Sequence, residues 1–221
     1  HILISNDDGY MAPGINALAN EMRRFGRVSI VAPEHNQAAN KPLTVTNASE
    51  DVFVVSGTPS DCVHLALTGL LNDRPDLVVS GINCGANMGD DTMYSGTVAA
   101  AIEGYIFGID SIAFSQIDKG WAELPSAAAM AGKIVERFLT RREKNSFDVN
   151  MPNLPLHAMQ GIHTTRLGRR HCAERMIDEI NPRGMPIYWL GAAGKPRDAS
   201  EGTDFWATQH GFVSVTPLQI D

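Results

Sequence analysis

Short apolar runs alternate with stretches of helical spacing through the first half of the chain. Ile2 to Ser5 predicts a buried strand, and Ile15, Leu18, Ala19, Met22 and Phe25 then recur along one helix face. Val28 to Ala32 predicts a second strand, followed by a polar loop from Pro33 to Pro42. From Leu43 to Val55, Thr, Val and Phe alternate around a turn at Asn47 to Asp51, the pattern of a hairpin. Thr58-Pro59-Ser60-Asp61 reads as a helix start, with Thr58 as N-cap and Pro59 at the first helical position, feeding Cys62, Leu65, Ala66 and Leu70. Leu77 to Ser80 predicts another buried strand. After a Gly-rich loop comes a helix from Gly96 to Phe107 with Val98, Ile102, Tyr105 and Ile106 on one face, then a strand at Ser111 to Ser115. A further helix uses Ala127, Met130, Ala131, Ile134 and Phe138.

Strands separated by helices predict an α/β fold whose mainly parallel sheet is covered on both faces. From Phe147 onward Pro and Gly become frequent, and Gly161 to Leu167, Ile187 to Leu190 and Phe212 to Pro217 read as strands without intervening helices. The expectation is one domain over 1–221, with a core of about 1–150 and a β-rich extension or arm of about 151–221 that serves as a partner surface.

Chemistry gathers first at Ser5-Asn-Asp7-Asp8-Gly9. Two acidic residues follow directly on the first predicted strand, and the carboxyl ends of strands in an open α/β sheet border the crevice where ligands bind. Successive strand residues point to opposite faces, so the two carboxylates converge only if the backbone bends, which Gly9 permits. Two close anions repel, and a divalent cation removes that cost. Taken alone, the pair equally fits a helix cap or a turn.

The second informative stretch runs from Val79 to Thr97, from a predicted strand end to a predicted helix start, and so opens on the same rim. Asn83 offers an amide oxygen to a hard cation. Ser95, Gly96 and Thr97 lie where a helix presents unpaired N–H groups and its positive dipole end, a ready anion site. Each has a plainer reading: Ser95 or Thr97 as an ordinary N-cap, Asn83 as a turn residue. Gly81, Gly85 and Gly89 do not match the dinucleotide fingerprint. The concurrence of carboxylates, amide and helix start on one rim favours a metal-and-phosphate site. His35, His64, His157, His163, His171 and His210 show no metalloprotease spacing, and neither a Gly-x-Ser-x-Gly elbow nor a P-loop occurs. Arg166, Arg169 and Arg170 form a basic cluster that fits either a solvated surface or an anion or partner contact.

Composition narrows the classes. A hydrophobic share of 43% over 221 residues supports a substantial core. No run of eighteen or so apolar residues predicts a membrane span, and no leader pattern is seen, so the expected location is cytoplasmic. The net charge of −7 argues against a duplex DNA or RNA partner. Cys62, Cys84 and Cys172 are widely spaced and support neither a disulfide framework nor a thiolate metal site.

Read together, Ser5-Asn-Asp-Asp-Gly9, Ala12-Pro-Gly14, Gly57-Thr-Pro-Ser-Asp-Cys62, Ser80-Gly-Ile-Asn83, Asn87-Met-Gly89, Tyr94-Ser-Gly-Thr-Val98, Asn150-Met-Pro152 and Gly211-Phe-Val-Ser-Val-Thr-Pro217 resemble the stationary-phase survival protein SurE, a nucleotidase family. The resemblance implies a Rossmann-like α/β core with a β-rich dimerisation extension, giving a homodimer or homotetramer. It implies hydrolysis of nucleoside 5′- and 3′-monophosphates, some activity on short polyphosphate, and dependence on Mn²⁺ or Mg²⁺. By the same resemblance Asp7, Asp8 and Asn83 match the metal ligands, and Asn87, Ser95, Gly96 and Thr97 line the phosphate pocket, with Asp7 and Asp8 as the catalytic pair. One position departs: the family's further Ser ligand, in the loop after the second strand, has no counterpart in Ala32-Pro-Glu-His-Asn-Gln-Ala-Ala-Asn-Lys-Pro42. Asn36, Asn40 or water stands in for it, or residues of the loop are absent from this sequence. That departure keeps open the alternative of a catalytically weak nucleotide sensor on the same fold.

Overall fold

Ile2–Ser5 (β1) is buried along its whole length, as a strand covered on both faces must be, and its alternation divides the core. Ile2 and Ile4 point into one hydrophobic cluster while Leu3 points into another. The same split runs through Val28–Pro33 (β2), where Ile30 and Val31 face opposite layers, and through the later strand where Val79 and Val78 do. One layer holds Pro13–Met22 (α1) and Leu124–Phe138 (α4); the other holds Pro59–Leu65 (α2) and part of Gly96–Ile106 (α3). Burying Leu18 or Met22 of α1, both fully enclosed, stabilises the fold by about 1.5–3 kcal/mol each.

The computed structural model describes residues 1–34, 42–118, 120–140, 145–170, 175–190 and 194–219. The remaining strands are Val45–Ser49 (β3), Val52–Val55 (β4), Leu77–Cys84 (β5), Asp110–Gln116 (β6), Ser146–Met151 (β7), Ile162–Thr164 (β8), Arg169–Arg170 (β9), Ile177–Ile180 (β10), Pro186–Trp189 (β11), Pro196–Asp198 (β12) and Val213–Leu218 (β13). A nine-stranded sheet takes the order β3-β4-β2-β1-β5-β6-β7-β13-β8. Its neighbours from β4 to β7 are all parallel, and β13 enters antiparallel beside β7. This is the mainly parallel Rossmann-like sandwich with added antiparallel strands near the C-terminus. Outside the sheet lie two antiparallel pairs, β10–β11 and β9–β12. No helix among the described residues is long and apolar enough to cross a membrane.

From β1 the chain passes through α1 to β2 on one side, whereas β5 lies on β1's other side and leads on to β6 and β7. The order therefore reverses at β1 and β5. Such a reversal opens a crevice at the strands' carboxyl ends.

Three expectations change. The buried face of α3 is lined by Thr97, Val98, Ala100, Ala101 and Gly104, with Ile102 partly buried against Val98 and Ala101, whereas the expected Ile106 is exposed. Small residues let that helix approach the sheet so closely that a Cβ at Gly104 would stand 2.7 Å from Val78 Cγ2. Second, the strand expected to stop at Ser80 runs on to Cys84, through an irregularity in its pairing with β6 between Ser80 and Asn83. Gly81 makes the step, at φ +124 and with its Cα so near Phe114 that any Cβ would meet the carbonyl oxygen at 2.2 Å. Third, the tail is not helix-free: Asp204–Gln209 (α5) forms there, capped by Thr203 Oγ1 accepting from Trp206 N at 3.1 Å.

Candidate functional site

β1 delivers the chain into Asn6-Asp7-Asp8-Gly9, and the bend is closed locally. Buried Asn6 donates Nδ2 to the Gly9 carbonyl at 2.8 Å, and Gly9 sits at φ +97. The bend leaves the two carboxylates close enough to repel. Burial raises the Asp7 carboxyl above its ordinary value, and the charge of Asp8 raises it further. Burial likewise raises Asp8, against the lowering effect of the Cys84 N–H, which donates to Asp8 Oδ2 over a long 3.4 Å.

That last contact joins the first loop to the end of β5. There the step at Gly81 places Asn83 opposite Ser115 of β6, and Asn83 donates Nδ2 to the Gly85 carbonyl at 2.9 Å. Fixing the amide nitrogen fixes the direction of the amide oxygen as well. Two carboxylates and one amide oxygen are the donors a hard, oxygen-preferring cation takes. Among the described residues no group of three or more His, Cys, Asp and Glu could hold a metal. The loop that lacks the family's Ser, with Asn36 and Asn40, lies outside the described residues.

The second meeting is at α3. Ser95 is the N-cap, its Oγ accepting from Val98 N at 3.1 Å, so its plain capping role holds. Gly96 and Thr97 supply the first N–H groups of the helix, which by helix geometry have no acceptor within it. The Asp7 carboxylate lies directly on Gly96: a Cβ there would stand 2.7 Å from Asp7 Cγ and 2.8 Å from each carboxylate oxygen. Asp7, Ser95 and Gly96 line one open cleft of about 410 Å³ together with Thr58, Pro59, Ser60, Met93, Tyr94 and Ala99. Neither Lys nor Arg is among these described residues, and the positive end of the α3 dipole faces the cleft.

Two expected phosphate-pocket residues are not on this lining. Thr97 is buried beneath it, and its Oγ1 finds no partner. Asn87 is turned inward: its N–H donates to Asn150 Oδ1 at 2.9 Å, its carbonyl accepts from Asn150 Nδ2 at 3.0 Å, and its own Nδ2 donates to Ser115 Oγ at 2.8 Å. Besides Thr97 Oγ1, buried Ser5 Oγ, Asn6 Oδ1 and Ser80 Oγ lack partners among the described residues, and Ser5 and Ser80 are direct neighbours across β1 and β5.

Thr58, Pro59, Ser60, Met93 and Tyr94 were not assigned to the site from sequence. A signal did exist for the first three. β4 is parallel to β2, so the helix start that follows it opens on the same rim as Asp7. Thr58 there forms a full capping box, Asp61 N donating to Thr58 Oγ1 at 3.2 Å and Thr58 N to Asp61 Oδ2 at 2.8 Å. A second cavity, about 450 Å³, is lined by Asp90, Arg169, Arg170, Arg197 and Asp198. Much of its charge is internally matched, with Arg169 on Asp90 at 2.6 Å and Arg170 on Asp91 at 2.5 Å.

Comparison with known proteins shows the family and the fold. The family model described as "Survival protein SurE" matches residues 2–174. The crystal structure of the SurE protein from Aquifex aeolicus superposes with a TM-score of 0.87 at 43% sequence identity, the match covering 100% of this chain and 93% of that one.

Proposed function

Taking as premise that this chain belongs to the survival protein SurE family, we propose that it is a metal-dependent phosphomonoesterase acting on nucleoside 5′- and 3′-monophosphates, and on short polyphosphate more weakly. Membership supports the broad class, a nucleotidase or phosphatase. The single observation that carries the finer reading is the convergence of Asp7, Asp8 and Cys84 with the Gly96 start of α3 at the reversal point of the sheet.

Asp7, Asp8 and the Asn83 amide oxygen would hold the cation, Mn²⁺ or Mg²⁺. When bound, it supplies Lewis acidity toward a phosphoryl oxygen and acidifies nearby water. Asp7 orients the attacking water and accepts its proton as a carboxylate placed beside the helix start that holds the phosphoryl oxygens. The Gly96 and Thr97 N–H groups stabilise the phosphoryl oxygens in an acidic cleft otherwise unsuited to an anion. The water oxygen bonds to phosphorus as the ester P–O bond breaks, and the leaving alkoxide takes a proton to become the nucleoside hydroxyl.

The tail supports a homodimer or homotetramer. Among the described residues β10 and β11 pair only with each other, and Ile177, Ile180, Tyr188 and Trp189 on them are each more than half exposed. A lone two-stranded hairpin is marginal in water, and a second copy of the chain would cover it.

Phosphate release from a panel of nucleoside monophosphates, measured after chelation and again after adding Mn²⁺ or Mg²⁺, tests the reading. Release that returns with the metal is expected. Nucleotide binding without release under every metal would overturn it in favour of the sensor.

A further inference from the structure

α5, the helix that periodicity did not reveal, lies against the loop that forms one wall of the cleft. Asp204, its first residue, is fully buried, and its carboxylate accepts from three backbone N–H groups. Oδ2 takes Gly89 N at 2.7 Å; Oδ1 takes Gly168 N at 2.9 Å and Phe205 N at 2.8 Å. Gly89 is 115 residues away in sequence. It begins the tight turn Gly89–Tyr94, which ends at the N-cap Ser95 and whose Met93 and Tyr94 line the cleft beside Asp7.

Other contacts grip the same turn from the same segment. Arg169 Nη1 meets Asp90 Oδ1 at 2.6 Å, Arg170 N donates to Asp90 Oδ2 at 3.0 Å, and Arg170 Nε pairs with Asp91 Oδ2 at 2.5 Å. Thr208 Oγ1 contacts Met88 Sδ at 3.4 Å. Packing leaves no slack at the centre, since a Cβ on Gly89 would stand 2.7 Å from Phe205 Cε2. The Arg pairs are partly exposed and so individually weak. The Asp204 contacts are buried and charge-assisted, which makes them the strong ones.

We propose that Asp204 is a positioning residue: by anchoring Gly89 to Gly168, it fixes the turn that sets the Ser95–Thr97 anion cradle against Asp7. The tail thereby acts on the reaction through the turn, without touching substrate. This inference rests on the phosphomonoesterase reading for its kinetic consequence but not for its structural one, and the two are measured separately.

In Asp204→Asn, all three N–H groups lose a charged acceptor while side-chain volume is kept. Amide hydrogen exchange over residues 89–97 should accelerate relative to β1 and β5, and kcat/KM for a nucleoside monophosphate with Mn²⁺ should fall about ten- to a hundredfold, the scale of displacing a positioned group by about an ångström. The inhibition constant of inorganic phosphate should rise in step, because the cradle itself is displaced. Gln209→Ala, on the exposed side of the same helix, serves as control and should leave both exchange over 89–97 and turnover near wild type. Asp204→Glu should not restore the wild-type values, since a longer arm cannot keep both glycines in reach. If Asp204→Asn does not fold, Gly89→Ala loosens the same link from the other side and should give the same paired effect. Accelerated exchange in a protein with no wild-type turnover would count against the phosphomonoesterase reading alone. Unchanged exchange over 89–97, or unchanged phosphate affinity and kcat/KM in an active enzyme, would overturn the role assigned to Asp204.

Discussion

The carboxylate of Asp7 lies on the Cα of Gly96, close enough that a single methyl group there would sit 2.7 Å from Asp7 Cγ. The loop after the first strand and the start of α3 are thus held together by the lack of a side chain, and an anionic group is left at the positive end of a helix. In Gly96→Ala the group that must yield is a carboxylate tip, which can rotate away. The fold should therefore survive, with a melting temperature within a few degrees of wild type, while metal-stimulated phosphate release drops by roughly a hundredfold. Wild-type turnover in this variant would separate the contact from the chemistry.

Asp8→Asn keeps the shape of the side chain but removes one of the two charges proposed to hold the cation. Circular dichroism and melting temperature should be unchanged or improved, because burial raises the Asp8 pKa and the repulsion with Asp7 is relieved. Metal-dependent turnover should fall by at least about a hundredfold, more than loss of an outer-shell contact usually causes. A titration of Mn²⁺ by calorimetry distinguishes weakened binding from a slower step.

Thr58 both caps α2 and lines the cleft. Thr58→Ala removes the acceptor for Asp61 N and should lower stability by about 0.5–2 kcal/mol in urea unfolding. The loss should be smaller in Thr58→Ser, whose hydroxyl can remake the box.

Asp148 gives a pH prediction. It is completely buried, Oδ2 accepts from Asn150 Nδ2 at 3.0 Å, and Oδ1 finds no partner. Burial raises its pKa well above the ordinary carboxylate value; the Asn150 bond opposes this, and the charge of Asp204 adds to it. Because the folded pKa lies above the unfolded one, the native state holds a proton that the unfolded chain has released. Stability from this group is then complete below the unfolded pKa, near 4, and is lost as pH rises toward the folded value. Asp148→Asn should leave the melting temperature at pH 4 little changed and raise stability at pH 7 by about 1–3 kcal/mol, the scale of one unsatisfied buried polar group. Equal effects at both pH values would show that Asp148 is not protonated in the native state.

Much of the arrangement was legible because it is local. Thr58-Pro59-Ser60-Asp61 forms the expected capping box, and the expected hairpin forms between β3 and β4, with its turn narrowed to Glu50 and Asp51 because Asn47 to Ser49 belong to β3. The loop that carries Asp7 and Asp8 meets the end of β5 at Cys84 and the start of α3 at Gly96, as placement after parallel strands implied, since every such strand ends on one rim. Asn83 was misplaced as a loop residue because the step at Gly81 depends on Phe114 of the neighbouring strand. The buried face of α3 was misjudged because hydrophobicity favours Ile106, whereas close approach to Val78 admits only small residues. Asp204 and its helix escaped notice because six residues carry too little periodicity to read.

By itself the sequence determined the α/β class, the rim on which the chemistry gathers and the identity of the acidic pair, because apolar period, caps and turns are properties of neighbours along the chain. Only tertiary structure decided that Asn87 faces inward, that Thr58 and Tyr94 share a cleft with Asp7, and that the tail returns through Asp204 to hold the Gly89–Tyr94 turn. Those outcomes turn on distances between segments 28 to 115 residues apart, where side-chain volume and buried hydrogen bonds choose among placements that local preference leaves equivalent.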